Sequence, residues 1–355
     1  MTDAGSPLYH PVSLDPEYLA GKMLERYAES HARIWGTTSA ERKARIRGEF
    51  LATIGSLQES LATGSPAFLI DHSSRDQARF MSRPFPGGFV LTYLEVLGEV
   101  AARELPTDYR EKAGMYIREA LLALKKSPGY AGSRAADKPP LSPLARSYLD
   151  AILVADRRRG DAIIDEALAA GIPLRDIYLR VFQPVLVETG ILWQENKATI
   201  AQEHYISGVI RQAMERVRNR VTPPVRRGRS VVTACVGEEL HDTGILMVAD
   251  FFGMDGWDVY SLGANTPARC ILDAVREQKA DAVALSVTLP SRLPGLQYLV
   301  RSLRADAATV PVKIIVGGYP FGILPDLWKQ VGADACAATA DDAVAAANRL
   351  FSGKK

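Results

Sequence analysis

The last third of this chain alternates short apolar runs with longer segments of helical periodicity, and no other feature limits the fold as strongly. The apolar runs predict strands at 230–236, 257–262, 281–287, 312–316 and 333–336. The longer segments predict helices near 242–254, 267–278, 291–305, 322–331 and 340–352. Alternating strands and helices form a parallel sheet. The sequence therefore predicts a five-stranded, doubly wound domain of flavodoxin-like or Rossmann-like type over 229–355.

Polar or glycine-containing segments follow three of these strands. The segment Gly237 to Gly244 reads GEELHDTG, Leu285 to Leu289 reads LSVTL, and Ile315 to Gly318 reads IVGG. In open parallel sheets, ligands bind at the carboxyl ends of the strands. We therefore expect these segments to line a ligand site.

This E-x-H-x-x-G, S-x-T-L and G-G series resembles the cobalamin-binding domain of corrinoid proteins. The resemblance implies that His241 is the lower axial ligand of cobalt, in place of the cofactor's own benzimidazole. It also implies that Glu239, where many relatives carry Asp, is the partner of His241, and that the nucleotide tail enters a slot beside the sheet. The implied cofactor-binding residues of this domain are Glu239, His241, Asp242, Gly244, Ser286, Thr288, Leu289, Gly317 and Gly318.

Each of these elements has a simpler interpretation when taken alone. A loop histidine is usually solvated, polar residues often end strands, and a Gly-Gly pair often only makes a turn. The order of the three segments, each directly after a predicted strand, is what favours cobalamin.

The middle of the chain, residues 142–222, has the pattern of a four-helix bundle. Apolar residues at helical spacing predict helices around 144–153, 161–170, 174–190 and 200–217. By resemblance, such a bundle before the sheet caps the upper face of cobalamin. Residues 127–143 and 221–229, rich in Pro, Gly or Arg, are the predicted connections on either side.

Within this bundle, Trp193 is followed ten positions later by Glu203 and then His204. This W-x9-E-H pattern resembles the light-sensing transcriptional repressors that carry adenosylcobalamin, and the resemblance covers residues 142–340. It implies that Trp193 packs against the adenosyl group, that Glu203 hydrogen-bonds the adenosine, and that His204 supports the pocket. The repressors carry a histidine after the tryptophan, whereas this chain has Gln194. After light, the upper position would therefore fall to His204 or to water.

The first 127 residues predict an all-helical domain, with helices at 15–35, 39–63, 66–80, 88–103 and 107–125. Their length and helix count allow a globin-like fold, and we see no DNA-reading helix-turn-helix. A helical domain before a cobalamin unit resembles the photocobilins, which pair cobalamin with biliverdin. The implied bilin contacts are His72, Arg75, Arg79, Phe80, Arg83, Phe85 and Tyr93. A packed bundle without a ligand, or haem bound by His31 or His72, are the alternatives. The domain has no cysteine, which excludes a thioether-linked bilin.

Composition agrees with a globular protein of two or three domains. The chain has 355 residues and a net charge of +2, which argues against wholesale nucleic-acid binding. No apolar run reaches the roughly 20 residues that span a bilayer, and the N-terminus has no signal pattern. Three scattered cysteines, Cys235, Cys270 and Cys336, indicate reduced thiols. We therefore expect a cytoplasmic protein that contacts neither membrane nor nucleic acid.

The combined interpretation is a light sensor rather than an enzyme, because we find no acid–base pair or nucleophile constellation. Light would break the cobalt–carbon bond of adenosylcobalamin and change the conformation or the oligomeric state. The expected partners are cobalamin, a bilin, further copies of this chain in a light-dependent homo-oligomer, and an unknown downstream protein.

Two other functions remain open from the sequence. A corrinoid methyl carrier that partners methyltransferases would share the bundle and the histidine motif. A redox or haem-linked signalling module would use only the N-terminal domain.

Overall fold

The structure, a computed structural model, describes residues 12, 14–81, 88–126, 140–195, 197–220 and 225–352, apart from the side chains of residues 81 and 194. It divides into two compact units, residues 1–138 and 139–355. None of the helices in these described ranges is both long and apolar enough to cross a bilayer.

The first unit is all-helical in its described part. Its helices are α1 (Pro16–Ser30), α2 (Ala32–Thr37), α3 (Ala40–Thr63), α4 (Ala67–Met81), α5 (Phe89–Glu104) and α6 (Thr107–Lys126). Side-chain caps begin two of them, because Asp15 and Ser39 accept hydrogen bonds from backbone amides of α1 and α3. The predicted single helix 15–35 is interrupted at His31, whose backbone leaves the helical region with φ −127°. The His31 ring instead stacks on Tyr27, with 4.6 Å between centroids.

The second unit begins with a helical bundle. Its elements are α7 (Pro143–Leu153), α8 (Arg157–Ala169), α9 (Leu174–Ile177), a π-helical turn (Tyr178–Phe182), α10 (Gln183–Gln194) and α11 (Ile200–Arg218). The predicted helix 174–190 is thus not a uniform α-helix. Pro184 has no N–H to donate to the carbonyl four residues earlier, and the backbone N–H of Gln183 donates to the carbonyl of Tyr178, five residues back. The inserted residue lets the rings of Tyr178 and Phe182 both enter the core, 5.4 Å apart.

The rest of this unit is a doubly wound α/β fold, as predicted. The elements are β1 (Ser230–Val236), α12 (Thr243–Met254), β2 (Asp258–Thr266), α13 (Ala268–Glu277), β3 (Ala282–Ser286), a 3-10 turn (Pro290–Arg292), α14 (Leu293–Ala305), β4 (Lys313–Gly317), α15 (Tyr319–Ile323), α16 (Leu327–Val331), β5 (Ala335–Ala337) and α17 (Ala340–Phe351). All observed pairings are parallel, in the order β2-β1-β3-β4-β5. The predicted fold class, a helical N-terminal region followed by a five-stranded parallel sheet, is confirmed.

Two local predictions in this domain are wrong. The strand predicted at 257–262 is longer in the structure, because β2 continues to Thr266, and Pro267 is the N-cap of α13. Gly263 and Asn265, at φ 72° and 50°, let β2 bulge and return to pair with the end of β1. The predicted helix 322–331 is two short helices, α15 and α16.

The bundle and the sheet share one hydrophobic core. Residues of α12, α17 and the bundle pack with Val231, Cys235, Ala284 and Ile315 on one face of the sheet. Next to this shared core, α11 contacts α12, and Arg211 of α11 lies against Asp242 in the loop that follows β1.

Candidate functional site

The loop between β1 and α12 carries His241, which is more than half exposed. The Nδ1 atom of His241 lies 2.5 Å from Oε1 of Glu239. Because Nδ1 is used in this contact, Nε2 is the ring nitrogen that can bind a metal. This is the ring orientation expected of an axial histidine ligand.

Glu239 is fully buried and joins two loops. One carboxylate oxygen accepts the backbone N–H of His241, at 3.0 Å. The other accepts the backbone amides of Thr288 and Leu289, at 2.7 and 3.0 Å. The histidine loop and the loop after β3 are therefore held in a set position by one side chain.

The two ionisable groups shift each other's pKa. Burial alone would raise the pKa of Glu239, but the hydrogen bonds from His241, Thr288 and Leu289 lower it to about 2. The hydrogen bond to Glu239 raises the pKa of His241, against the effect of burial. The charge of Glu203 on α11 also raises the pKa of His241. The charge of Glu203 therefore favours the protonated form of the His241 imidazole.

The end of β2 supports the histidine loop from the side. The backbone N–H of Gly237 donates to the carbonyl of Thr266 at 2.9 Å, and the N–H of Asn265 donates to the carbonyl of Glu239 at 2.8 Å. The extension of β2 beyond its predicted end thus orders the loop that carries His241.

Asp242 and Gly244 lie at the start of α12. Asp242 occupies the N-cap position but makes no side-chain cap bond. Its carboxylate instead accepts from Nη1 of Arg211 on α11, at 3.1 Å. A Cβ built on Gly244 would meet no atom within 4 Å, so the space in front of this residue is open to a ligand.

Ser286, Gly317 and Gly318 lie at the ends of β3 and β4. Ser286 and Gly317 are direct neighbours in the sheet register. A Cβ on Gly317 would lie 2.8 Å from the carbonyl oxygen of Ala337, and one on Gly318 only 1.9 Å from that of Val287. Neighbouring backbone atoms of the protein itself therefore leave no room for a side chain at either position.

The residues predicted for the upper face lie on α10 and α11. Trp193 is 45% exposed near the end of α10. Glu203 accepts from the hydroxyl of Ser207 at 2.9 Å, and it lies 2.8 Å from Nδ1 of the exposed His204. The side chain of Gln194 lies outside the described residues. The bundle thus presents an indole, a carboxylate and an imidazole on the two helices predicted to face the cofactor.

The contact between Arg211 and Asp242 was not predicted from the sequence. A signal for it was present, because Glu203, Ser207 and Arg211 recur every four positions and so share one face of α11. This face leads from the predicted upper-face carboxylate to the loop of the predicted lower ligand.

Three of the seven predicted bilin contacts, His72, Arg79 and Tyr93, lie in a buried polar cluster of the first unit. The Tyr93 hydroxyl donates to Asp76 at 2.9 Å, and Nε2 of His72 lies 3.2 Å from the Thr53 hydroxyl. Phe80 is buried at the end of α4. The cluster, which we call the α4 polar cluster, consists of Glu49, Thr53, His72, Asp76, Arg79 and Tyr93.

Two of the arginines predicted to hold propionates are already paired with carboxylates of the protein. Arg75 donates to Asp71 at 2.9 Å, and Arg79 pairs with Glu49 and with Asp76. Arg83 and Phe85 lie outside the described residues. The bilin site therefore stays a prediction, and a propionate would have to compete with these carboxylates.

Comparison with known protein families identifies two matching segments. Residues 229–348 match the B12 binding domain, and residues 144–218 match a second family that is also described as a B12 binding domain. Together these matches cover the sheet and the bundle, and they support cobalamin binding by the second unit.

The similar proteins are of two kinds. Dimethylamine corrinoid protein 1 of Methanosarcina acetivorans is 24% identical over 210 residues, which are 57% of this chain and 91% of the relative. The HTH-type transcriptional repressor CarH of Myxococcus xanthus is 31% identical over 180 residues, half of this chain. The match spans only 59% of the repressor's own length.

A solved structure agrees at the level of fold. The monomethylamine corrinoid protein of Methanosarcina barkeri superposes with a TM-score of 0.53 at 21% identity, over 59% of this chain and 98% of that protein. The bundle followed by a five-stranded sheet is thus an architecture known from corrinoid proteins.

Proposed function

We propose that this chain is a light sensor whose second unit binds adenosylcobalamin, with His241 as the lower axial ligand. The observation that carries the proposal is the arrangement of the site. On the sheet side, a buried carboxylate orients the imidazole of His241. The Arg211–Asp242 contact, at 3.1 Å, joins this loop to α11, the bundle helix that carries Glu203 and His204. When bound, adenosylcobalamin supplies a cobalt–carbon bond that visible light can break.

The residues of the sheet side fit a corrinoid. Glu239 accepts a hydrogen bond from the Nδ1–H of His241 and so leaves the unprotonated Nε2 free to bind cobalt. Gly244 leaves open space beside the loop, and the small residues Ser286 and Gly317 lie at the adjacent strand ends. His241 would hold the metal, and the small residues around it would leave room for the groups at the corrin edge.

The residues of the bundle side fit an adenosyl group. The partly exposed indole of Trp193 offers an apolar surface for a flat heterocycle. Glu203, whose present partners are a hydroxyl and a histidine, can accept a hydrogen bond from a ribose hydroxyl. His204 lies beside it, and we propose it as the side chain nearest to the upper position after light.

The signal would leave the site through α11. This helix carries Glu203, and through Arg211 it holds Asp242, the residue directly after the lower ligand. A change in what fills the upper side would alter contacts on α11 and could change self-association, since a ligand shifts an equilibrium only through different contacts with the two states. We propose no catalytic turnover for this chain.

A corrinoid methyl carrier is the second candidate. It is favoured by the match to a dimethylamine corrinoid protein over 91% of that protein's length. A carrier must open its upper face to the active site of a partner, and a tryptophan together with Glu203 on the helices over that face would restrict access. The two candidates therefore differ in how strongly the upper pocket prefers adenosyl to methyl.

The test is a dark titration of the full chain with adenosylcobalamin and with methylcobalamin, followed by green light. We expect the adenosyl form to bind about tenfold more tightly, and light to change both the visible spectrum and the elution volume in size-exclusion chromatography. Equal affinities together with an unchanged elution volume would contradict the light-sensor proposal and favour the carrier.

Two tryptophan variants make this test specific. Trp193→Ala should remove the preference for the adenosyl form. Trp328→Ala, a matched change on α16 of the same unit, should keep it. If both variants behave alike, Trp193 does not select the upper group.

We further propose that the first unit binds a linear tetrapyrrole at the α4 polar cluster. The cluster combines buried donors and acceptors from α3, α4 and α5 with the adjacent aromatic ring of Phe80. Such a mixture of polar groups within an apolar core suits the pyrrole nitrogens and rings of a bilin.

A further inference from the structure

Two ion pairs tie α11 of the bundle to α12 of the α/β domain. At the end of α11, Arg218 donates to Asp250 at 2.8 Å. Earlier on the same helix, Arg211 donates to one carboxylate oxygen of Asp242 at 3.1 Å and lies 3.5 Å from the other. Seven residues of a helix span about 10 Å, so the two helices are fastened at points about two turns apart.

The two ion pairs differ in how readily they can part. Asp250 is only 6% exposed and also accepts from the Tyr178 hydroxyl, and it is costly to remove one partner of a buried charge. The side chain of Arg211 is 46% exposed. An exposed ion pair contributes little to stability and is weakened by salt. The end of α11 at Arg218 is therefore fixed, whereas the part that carries Arg211 can separate from Asp242.

The space around the Arg211–Asp242 pair is open on both helices. Gly208 lies one turn before Arg211, and Gly244 lies just after Asp242. A Cβ built on either glycine would meet no atom within 4 Å outside its own helix, whereas one on Gly160 of α8 would lie 2.9 Å from a neighbouring side chain. At this end of the two helices the ion pair therefore bridges a cleft.

The cleft leads to the proposed lower ligand. Asp242 directly follows His241, whose side chain is 58% exposed. On the opposite wall, Arg211 shares one face of α11 with Glu203, which we place at the upper group. A macrocycle held by Nε2 of His241 beneath this face of α11 would have one edge at the ion pair. The two walls of the cleft are thus the two walls of the proposed cofactor site.

We propose that the Arg211–Asp242 ion pair is a clasp across the entrance to this site, which opens for a corrinoid to reach His241 and closes again at the edge of the bound ring. The clasp sets the rates at which the chain takes up and releases its cofactor, and it leaves the affinity unchanged. The proposal rests on cobalamin binding with His241 as the lower ligand, and it does not depend on the response to light.

Asp242 has a second set of partners when the clasp is open. It is the N-cap residue of α12, yet its side chain makes no bond to the first amides of that helix. Asp156, the N-cap residue of α8, does make such a bond, to the N–H of Arg159 at 2.9 Å. The first amides of a helix have no partner within the helix and attract negative charge. After Arg211 moves away, the Asp242 carboxylate turns to these amides, which offsets part of the cost of opening.

The test is rapid mixing of the full chain with methylcobalamin in the dark, with association and dissociation followed by the absorption of the corrin. For Arg211→Gln we expect both rates to be about fivefold higher and the dissociation constant to be that of the wild type. Arg211→Lys, which keeps the positive charge, should stay close to the wild-type rates. Asp242→Asn should be as fast as Arg211→Gln, and the double variant should be no faster than either single variant.

Salt gives a second measurement of the same clasp. Methylcobalamin carries no net charge, so added sodium chloride acts on the charges of the protein. Between about 0.05 M and about 0.5 M salt, the wild-type rates should rise toward those of Arg211→Gln, whose own rates should stay constant.

Arg175→Gln is the matched control. It removes a comparably exposed ion pair, 2.8 Å from Nη1 of Arg175 to Asp341, which joins the bundle to α17. This variant should keep both wild-type rates and their dependence on salt.

Two results would overturn the clasp. One is a wild-type association rate in both Arg211→Gln and Asp242→Asn. The other is faster dissociation with unchanged association, which would mean that the pair only holds the bound cofactor. A wild-type chain that takes up no methylcobalamin would overturn the cobalamin site itself and the clasp with it, so the two failures are distinguishable.

Discussion

At the scale of single residues, Glu239 has the largest influence on the site. Its carboxylate accepts from the imidazole and from three backbone amides that belong to two loops. The added methylene of glutamate relative to aspartate suits a reach from the histidine loop to the loop after β3. One charge thereby orients His241 and sets the separation of two loops.

The same carboxylate should set the pH dependence of cofactor binding. Cobalt needs the neutral imidazole, and Glu239 raises the pKa of His241, so affinity should fall as the pH falls through that raised pKa. Glu239→Gln removes the charge and should move this loss to lower pH. The measurement is the dissociation constant of methylcobalamin between about pH 5 and pH 8. Glu238→Gln, a change at the exposed neighbour that pairs with Arg292, is the control and should keep the wild-type profile. If the dissociation constant depends on pH in the same way for Glu239→Gln and Glu238→Gln, this prediction is wrong.

The pair should also affect stability without cofactor. The lowered pKa of Glu239 contributes stability that is present above the unfolded-state pKa of Glu and is lost as the pH falls toward about 2. The raised pKa of His241 contributes stability that is present below the unfolded-state pKa of His and is lost as the pH rises through the folded-state value. The difference in unfolding free energy between wild type and Glu239→Gln should therefore be largest between about pH 4.3 and 6.5.

At the scale of elements, the contact between the bundle and α12 depends on a buried polar group. Asp250 on α12 accepts from the hydroxyl of Tyr178 and from Arg218 on α11, both at 2.8 Å. The π-helical turn brings Tyr178 to this position. Three elements that come from different parts of the chain thus meet at one buried carboxylate.

Loss of this contact should be measurable against a closely matched control. Tyr178→Phe should lower the free energy of unfolding by about 1 kcal/mol, because Asp250 loses a donor. Tyr148→Phe removes a hydroxyl that is equally buried but has no partner among the described residues, and it should cost nothing. Chemical denaturation of the three proteins measures both effects. If Tyr148→Phe destabilises as much as Tyr178→Phe, the hydrogen bond to Asp250 is not the cause.

At the scale of the whole molecule, the chain forms two compact units, and different polar side chains are buried in each. In the first unit, burial lowers the pKa of His72 despite the nearby Asp76, so this imidazole is neutral in the α4 polar cluster. A neutral imidazole and the Tyr93 hydroxyl are the groups that would hydrogen-bond a tetrapyrrole there.

Biliverdin added to the full chain should produce a red absorption band if this site binds a bilin. The band should be lost in His72→Ala and kept in His31→Ala, a change at the junction of α1 and α2 outside the cluster. If the unit instead bound haem through His31, the absorption of added haem would be lost in His31→Ala and kept in His72→Ala. A folded wild-type protein that shows no red band would contradict the bilin proposal.

The amino-acid sequence by itself determined the type and order of the elements and the residues at the strand ends. Periodicity is a local property, and the carboxyl ends of parallel strands meet at one edge of a sheet, so His241 and Ser286 were predictable as neighbours of one site. The Pro267 cap and the π-helical turn were not predicted, because pairing with β1 and packing in the core outweighed local preference there.

Only the tertiary structure decided the hydrogen bonds that orient the side chains of the site. Glu239 reaches amides 49 and 50 positions away, and Asp250 meets a hydroxyl 72 positions away. Hydrogen bonds require donor and acceptor within about 3 Å, and separation along the chain carries no information at that precision.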